Sequence, residues 1–268
     1  MNKAKELKIN VTTEGQGTAL SVFHGWGMNS AAFEPFSDVM SSDYAVSRID
    51  LPGHGLSDWL DHQQPIESCF DQQVARLSEV VPDSVLIGWS MGGLYALRLA
   101  KLYPERFSGL ILVASNPCFV QREDWTAAVD SSVFKGFADA FIDNWQATIR
   151  RFLGLQMFGV DNVRAQIRHI SQLLIKGGEP HPDALRFGLD LLLTQDVRDE
   201  LSQIKVPVMV VLGKRDKLVP ISLANELTQI NAKIRVECLA HSAHAPFLSH
   251  LDDFAGLIHE FVIPASPR

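Results

Sequence analysis

The stretch Val85-Leu86-Ile87-Gly88-Trp89-Ser90-Met91-Gly92-Gly93-Leu94-Tyr95-Ala96 joins a short apolar run, a serine set among small residues, and the start of a helical pattern. It predicts a strand, a sharp turn and a helix. Its centre, Gly88-Trp89-Ser90-Met91-Gly92, fits G-x-S-x-G, the elbow in which a serine occupies a tight, strained turn above the end of a strand. Side chains at Gly88 and Gly92 would crowd neighbouring backbone, so glycine is what lets the turn close. The helix that follows begins with backbone N–H groups lacking internal partners, which favours negative charge developing beside Ser90. A glycine-rich turn with an incidental serine is the simpler reading of the pentapeptide alone. Between a buried strand and a helix, Ser90 becomes the candidate nucleophile.

Working outward, Ala19–Phe23 reads as a strand that runs into His24-Gly25-Trp26-Gly27-Met28, and Tyr44–Ile49 as a strand that ends at Asp50-Leu51-Pro52-Gly53-His54-Gly55-Leu56-Ser57. Apolar positions Phe70, Val74, Leu77 and Val81 share one helical face within Glu67–Val81. The elbow strand, a helix over Met91–Tyr103 and an apolar strand at Leu110–Ala114 complete the first half. Strands apolar on both faces, alternating with amphipathic helices, indicate a mostly parallel sheet covered on both sides, an α/β class. The alternation stops after Ala114. From Pro117 to Val197 the pattern is nearly all helical, with segments expected at Trp125–Thr148, Ile149–Phe158, Val160–Ile175 and Asp183–Leu193. It resumes with a strand at Val206–Leu212, a helix at Ile221–Ile230, a strand at Ile234–Cys238 and a helix at Asp252–Phe261. Residues 1–116 and 198–268 are therefore expected to form the core, and residues 117–197 a helical cap inserted where ligands bind outside the strand ends.

The chain of 268 residues is 46% hydrophobic and 21% charged, an ordinary globular composition. A net charge of -7 argues against a nucleic-acid surface. Cys69, Cys118 and Cys238 are widely spaced and odd in number, which suggests buried free thiols rather than a disulfide framework or a thiolate metal site. The polar N-terminus shows no secretory core, and no apolar run reaches the roughly 18 residues of a membrane helix. A cytoplasmic monomer without a membrane partner is the expectation.

A serine hydroxyl needs an adjacent base, itself oriented by a carboxylate. Asp216 stands in Gly213-Lys214-Arg215-Asp216-Lys217-Leu218-Val219-Pro220, directly after a predicted strand, and fits the chain order serine, acid, histidine. The turn after the preceding strand offers Ser115-Asn116 and no carboxylate. The base lies in Leu239-Ala240-His241-Ser242-Ala243-His244-Ala245-Pro246-Phe247-Leu248-Ser249-His250. His244, in the small apolar loop before Pro246, is the candidate. His241 reads as a supporting histidine and His250 as a helix-start residue. An oxyanion hole requires two fixed N–H donors, and losing one costs roughly 3 to 4 kcal/mol. Met91, after the nucleophile, and Trp26, in the turn after the first core strand, supply them. The indoles of Trp26 and Trp89 are candidate pocket walls, and His24 is expected to support its loop. Nothing in this chemistry calls for a metal or cofactor.

These residues resemble the α/β-hydrolase superfamily over nearly the whole chain. Within it the sequence is similar to the family of pimeloyl-[acyl-carrier protein] methyl ester esterases of biotin synthesis. That likeness is carried by Gly25-Trp26-Gly27, the elbow, Val113-Ala114-Ser115-Asn116-Pro117-Cys118-Phe119, Arg151-Phe152-Leu153-Gly154-Leu155-Gln156 and Ala243-His244-Ala245-Pro246-Phe247-Leu248-Ser249-His250. It implies a carboxylesterase that releases methanol from pimeloyl carried on acyl carrier protein, with Phe152, Leu153, Gly154, Leu155 and Gln156 lining the acyl pocket beside Trp26, Ser90, Met91 and His244. The sequence departs from the family at Ala147, where an arginine is usual.

The charge map fits an acidic carrier protein. Between Trp145 and Lys176 stand Arg150, Arg151, Arg164, Arg168 and Lys176, against the single acid Asp161. Arg164 and Arg168 share a helical face, and such an island steers an acidic partner. A solvated helix face is the simpler reading of the same residues. Fold analogy leaves a broad short-chain carboxylesterase, a thioesterase and a carbon–carbon hydrolase open, because such a cap decides the substrate. A non-catalytic ligand-binding protein on the same scaffold is the remaining alternative.

Overall fold

The computed structural model describes residues 8–59, 65–143, 145–156 and 163–262. Among the described residues, seven strands form one sheet. They are β1 (Val11–Glu14), β2 (Thr18–Phe23), β3 (Tyr44–Ile49), β4 (Ser84–Trp89), β5 (Phe107–Val113), β6 (Val208–Gly213) and β7 (Arg235–Leu239). Their order is β1-β3-β2-β4-β5-β6-β7. β1 runs antiparallel to β3, and every other pairing is parallel. The helices are α1 (Glu34–Met40), α2 (Ile66–Val80), α3 (Met91–Leu102), α4 (Ser131–Asp143), α5 (Trp145–Gln156), α6 (Val163–Gly177), α7 (Pro182–Thr194), α8 (Arg198–Ser202), α9 (Leu223–Ile230), α10 (Pro246–Ser249) and α11 (Leu251–Val262).

Every residue of β4 and of β6 is buried. That is why these strands are continuously apolar rather than alternating. β4 sits at the centre, between β2 and β5, at the point where the strand order reverses and crevices form above the carboxyl ends. The turns after β2, β3, β4, β6 and β7 therefore meet along one edge. β1 escapes the sequence reading because it is a short, half-exposed edge strand, Val11-Thr12-Thr13-Glu14, with no apolar run.

Between β5 and β6 the chain leaves the sheet and returns close to its departure point, where Val197 N donates to Pro117 O at 2.9 Å. Helices α4 to α8 fall here, but residues 117–130 are not helical as expected. They form a loop with bridges Val120 to Val129 and Arg122 to Trp125. Trp125 is buried there because its indole Nε1 donates to Cys118 O at 2.9 Å and to Asn116 Oδ1 at 3.2 Å, so a loop rather than a helix face takes its apolar bulk. α5 also runs unbroken across Thr148 and Ile149, where the sequence pattern placed a boundary. The α6–α7 connection is stitched to the core. His181 N donates to Gly53 O at 2.7 Å, Asn29 Nδ2 to Leu174 O at 2.9 Å and Gly178 O at 3.1 Å.

On α3, the largely buried Arg98 guanidinium pairs with Glu67 (3.0 Å) and Asp71 (2.5 Å) of α2 and with Glu200 (2.7 Å) of α8. Among the described residues no helix is long and apolar enough to cross a membrane. None of the three cysteines forms a disulfide, and Cys238 is exposed rather than buried. It lies on β7, which has no strand beyond it at that edge of the sheet.

Candidate active site

Ser90 follows the last residue of β4 and adopts φ 52° and ψ -122°, one of two non-glycine residues with positive φ among those described. The surroundings hold this conformation. A side chain at Gly92 would strike the carbonyl oxygens of Phe23 and His24, and one at Gly88 would lie 2.6 Å from Gly92 O. Ser115 Oγ donates to Ser90 O at 2.8 Å. The Ser90 hydroxyl does not cap α3, although Ser90 occupies the N-cap position. Ser115, which the sequence offered only as the absence of a rival acid, thus clamps the elbow from the turn after β5.

The acid and the base meet across 28 positions of sequence: His244 Nδ1 donates to Asp216 Oδ2 at 2.8 Å. The two side chains are 1% exposed each. Asp216 is fixed by its other oxygen, which accepts from Leu218 N at 2.8 Å and Val219 N at 3.1 Å, so the turn-capping role and the orienting role coexist. Glycine at 213 brings the two loops together, because a side chain there would strike the carbonyls of Ser242 and Ala243. His244 Nε2, on the far side of the ring from Asp216, has no hydrogen-bond partner among the described residues although buried. The other two histidines of the loop are elsewhere. His241 is exposed against Arg215, and His250 ends α10 beside Ser249.

Phe23 pairs with Gly88 in the sheet, so the chain after β2 emerges beside the elbow. A side chain at Gly25 would come within 3.2 Å of Ser90 Cβ. The backbone N–H of Trp26 has no backbone acceptor among the described residues. That of Met91, at the first position of α3, lacks an intrahelical one. His24 supports this loop. Its Nε2 accepts from Leu51 N at 3.0 Å, which leaves Nδ1 to donate to Gly25 O at 2.9 Å. Burial pushes its pKa down. His54, with ring centroid 5.1 Å from that of His24, is pushed down to about 3, chiefly by burial and then by its histidine neighbour. Both are neutral structural histidines.

Neither tryptophan is an open pocket wall. Trp26 is fully buried and its indole donates to Leu185 O of α7 at 2.8 Å. Trp89 is fully buried and donates to His244 O at 2.8 Å.

The five residues of α5 divide between two faces. Phe152, Leu153 and Gln156 are buried, with Phe152 edge-on to Trp26 at 4.9 Å and to Phe137 at 5.1 Å. Gln156 O accepts from His244 N at 3.3 Å, and neither atom of its buried side-chain amide has a partner among the described residues. Gly154 and Leu155 line a separate slot of about 430 Å³ with Arg151, Val133, Gly136 and Phe137. Arg151, Arg164 and Arg168 are exposed, with Arg151 over the Phe137 ring at 5.8 Å. Lys176 is taken up by Glu34 at 2.7 Å. The side chain of Arg150 lies outside the described residues. Sequence reasoning missed the backbone tie from Gln156 to His244 because it joins distant segments through main-chain atoms, which leave no residue-type signal.

A sequence model of the alpha/beta hydrolase family matches residues 22–257. Among curated relatives, the pimeloyl-[acyl-carrier protein] methyl ester esterase of Aliivibrio salmonicida is 36% identical over 253 residues, covering 94% of this chain and 95% of its own. The enzyme of the same name from Xylella fastidiosa is 35% identical over 258 residues, with 96% and 98% covered. Among solved structures, an esterase from Exiguobacterium antarcticum superposes with a TM-score of 0.85 at 22% identity over 96% of each chain. An enol-lactonase from Burkholderia xenovorans does so with a TM-score of 0.81 at 18% identity, over 96% and 97%. At those identities the two structures share the fold.

Proposed function

The chain belongs to the alpha/beta hydrolase family, and on that premise we propose that it is a serine carboxylesterase acting on the methyl ester of an acyl group carried by acyl carrier protein, pimeloyl above all. One observation carries the chemistry. The buried Asp216–His244 pair leaves Nε2 without a partner in a loop tied to the strained serine turn. Ser90 Oγ attacks the ester carbonyl while His244 Nε2 takes its proton, and Asp216 fixes the tautomer and stabilises the imidazolium. The N–H groups of Met91 and Trp26 hold the oxyanion, where the N-terminus of α3 also favours negative charge. Collapse expels methanol, protonated by His244. Water activated by the same histidine then cleaves the acyl-enzyme and frees the carboxylate.

Support for this substrate comes from the two relatives, whose names specify it, and from the segment inserted between β5 and β6. Residues 117–197 act as the cap. The buried amide of Gln156, unpartnered among the described residues and offering both N–H donors and a carbonyl acceptor, suits the polar end of an otherwise apolar acyl ligand. Exposed Arg151, Arg164 and Arg168 suit an acidic carrier. The test is to supply methyl pimeloyl-acyl carrier protein and a short soluble ester, and compare kcat/KM. A clear preference for the carrier-bound ester is expected, abolished in Ser90→Ala. Equal or better turnover of the short ester would overturn the substrate assignment, and no methanol release from either would overturn the activity.

A further inference from the structure

The elbow residue Trp89 has no place in the reaction as written, yet its indole is committed. It is fully buried, so no substrate reaches it. Its ring packs against Phe247 at 5.0 Å, Phe33 at 6.4 Å and the His244 ring at 5.9 Å. Its one polar atom, Nε1, donates to the main-chain carbonyl of His244 at 2.8 Å. The base sits in an irregular stretch between β7 and α10, without the ladder hydrogen bonds that fix a strand. Its imidazole is held at Nδ1 by Asp216, which sets tautomer and tilt but leaves the backbone to be placed. Two bonds place it: Trp89 Nε1 on the carbonyl, and the longer contact of 3.3 Å from His244 N to Gln156 O. The shorter is the one that starts from the residue next to the nucleophile.

We propose that Trp89 is a positioning residue for the hydrolytic step: its indole N–H fixes the His244 main chain, and with it the reach of Nε2 to Ser90. Base and nucleophile are thereby referenced to the same turn of β4. A misplacement of about 1 Å in such a constellation is enough for losses on the order of 10²-fold. The inference rests on reading Ser90 and His244 as nucleophile and base.

The test removes the N–H and keeps the shape. In the full chain, Trp89 is replaced by 3-benzothienylalanine, an isostere with sulfur in place of N–H, and separately by Phe. Turnover of p-nitrophenyl butyrate, the rate of Ser90 labelling by a fluorophosphonate and Tm are measured for each. The isostere is expected to lower Tm by a few degrees, because a buried carbonyl loses its partner, while staying folded at the assay temperature. It is expected to lose about 10-fold to 30-fold in kcat with KM within twofold, and to slow labelling in parallel. A folded isostere with unchanged kcat and labelling rate overturns the proposal, as does a loss confined to KM. The Phe variant is expected to follow the isostere. Wild-type protein that resists the fluorophosphonate would defeat the underlying assignment of Ser90, a different outcome from a labelled wild type whose isostere is unaffected.

Discussion

At Ser90 the backbone occupies a region that costs about 1–3 kcal/mol for a residue with a side chain, and it is kept there by Ser115 and by the two glycines against which the turn closes. Ser90→Ala keeps the strained turn and removes the nucleophile. Turnover of any ester should fall on the order of 10⁴-fold to 10⁶-fold, with Tm changed by no more than a few degrees. Asp216→Asn is the sharper substitution. Asn Oδ1 can still accept from Leu218 and Val219, but the amide facing His244 Nδ1 would favour the wrong tautomer. A drop in kcat of about 10⁴-fold is expected, measured beside an unchanged circular dichroism spectrum. The three proposed reacting residues were legible because each follows a strand, continuously apolar for Ser90 and Asp216, and the chain order limits the choice. What fixes them was not. Trp89 and His244 are 155 positions apart, and the acceptor is a backbone oxygen that any residue would supply.

Helix α7 shows how an element controls a site it does not enter. A side chain at Gly188 would lie 2.6 Å from Trp26 Cδ1 and 2.9 Å from Met91 Sδ, the two residues proposed to donate to the oxyanion. Gly188→Ala should therefore push both, with a stability loss of about 1–3 kcal/mol from overpacking. A fall in kcat larger than that in the affinity for a substrate analogue is the expected kinetic signature, read by steady-state kinetics and urea unfolding. Helical periodicity located α2, α3, α7 and α11 to within a residue or two. It failed over residues 117–130, where Trp125 and the surrounding apolar residues satisfy a folded-back loop instead of a helix face. Periodicity also could not assign α5 its two faces. Phe152, Leu153 and Gln156 turn inward, whereas Gly154 and Leu155 border a slot shared with α4.

Over the whole molecule, the pair His24 and His54 ties stability to pH. Both carry folded pKa values below the ordinary 6.5, with His54 at about 3. Unfolded chains bind protons at these positions that the native state refuses. For His54 the contribution is complete above pH 6.5 and is lost as pH falls from there towards 3, at up to about 1.4 kcal/mol per pH unit, and His24 adds a loss of the same sign below pH 6.5. Urea midpoints at pH 7, 6 and 5 should fall in sequence, and His54→Asn should flatten the slope. The surface distribution of charge carries a second expectation. Arg164→Glu with Arg168→Glu should reduce the ratio of kcat/KM for the carrier-bound ester to that for a short ester at least fivefold, and weaken its dependence on salt. In a protein of net charge -7, this local basic exception is what the proposal of an acidic partner starts from. Finally, the bond between Val197 N and Pro117 O brings the two ends of residues 117–197 together, with α8 following outside that span. For protein engineering that junction offers two adjacent splice points, between which a segment of different length can be tried without moving the ends of β5 and β6.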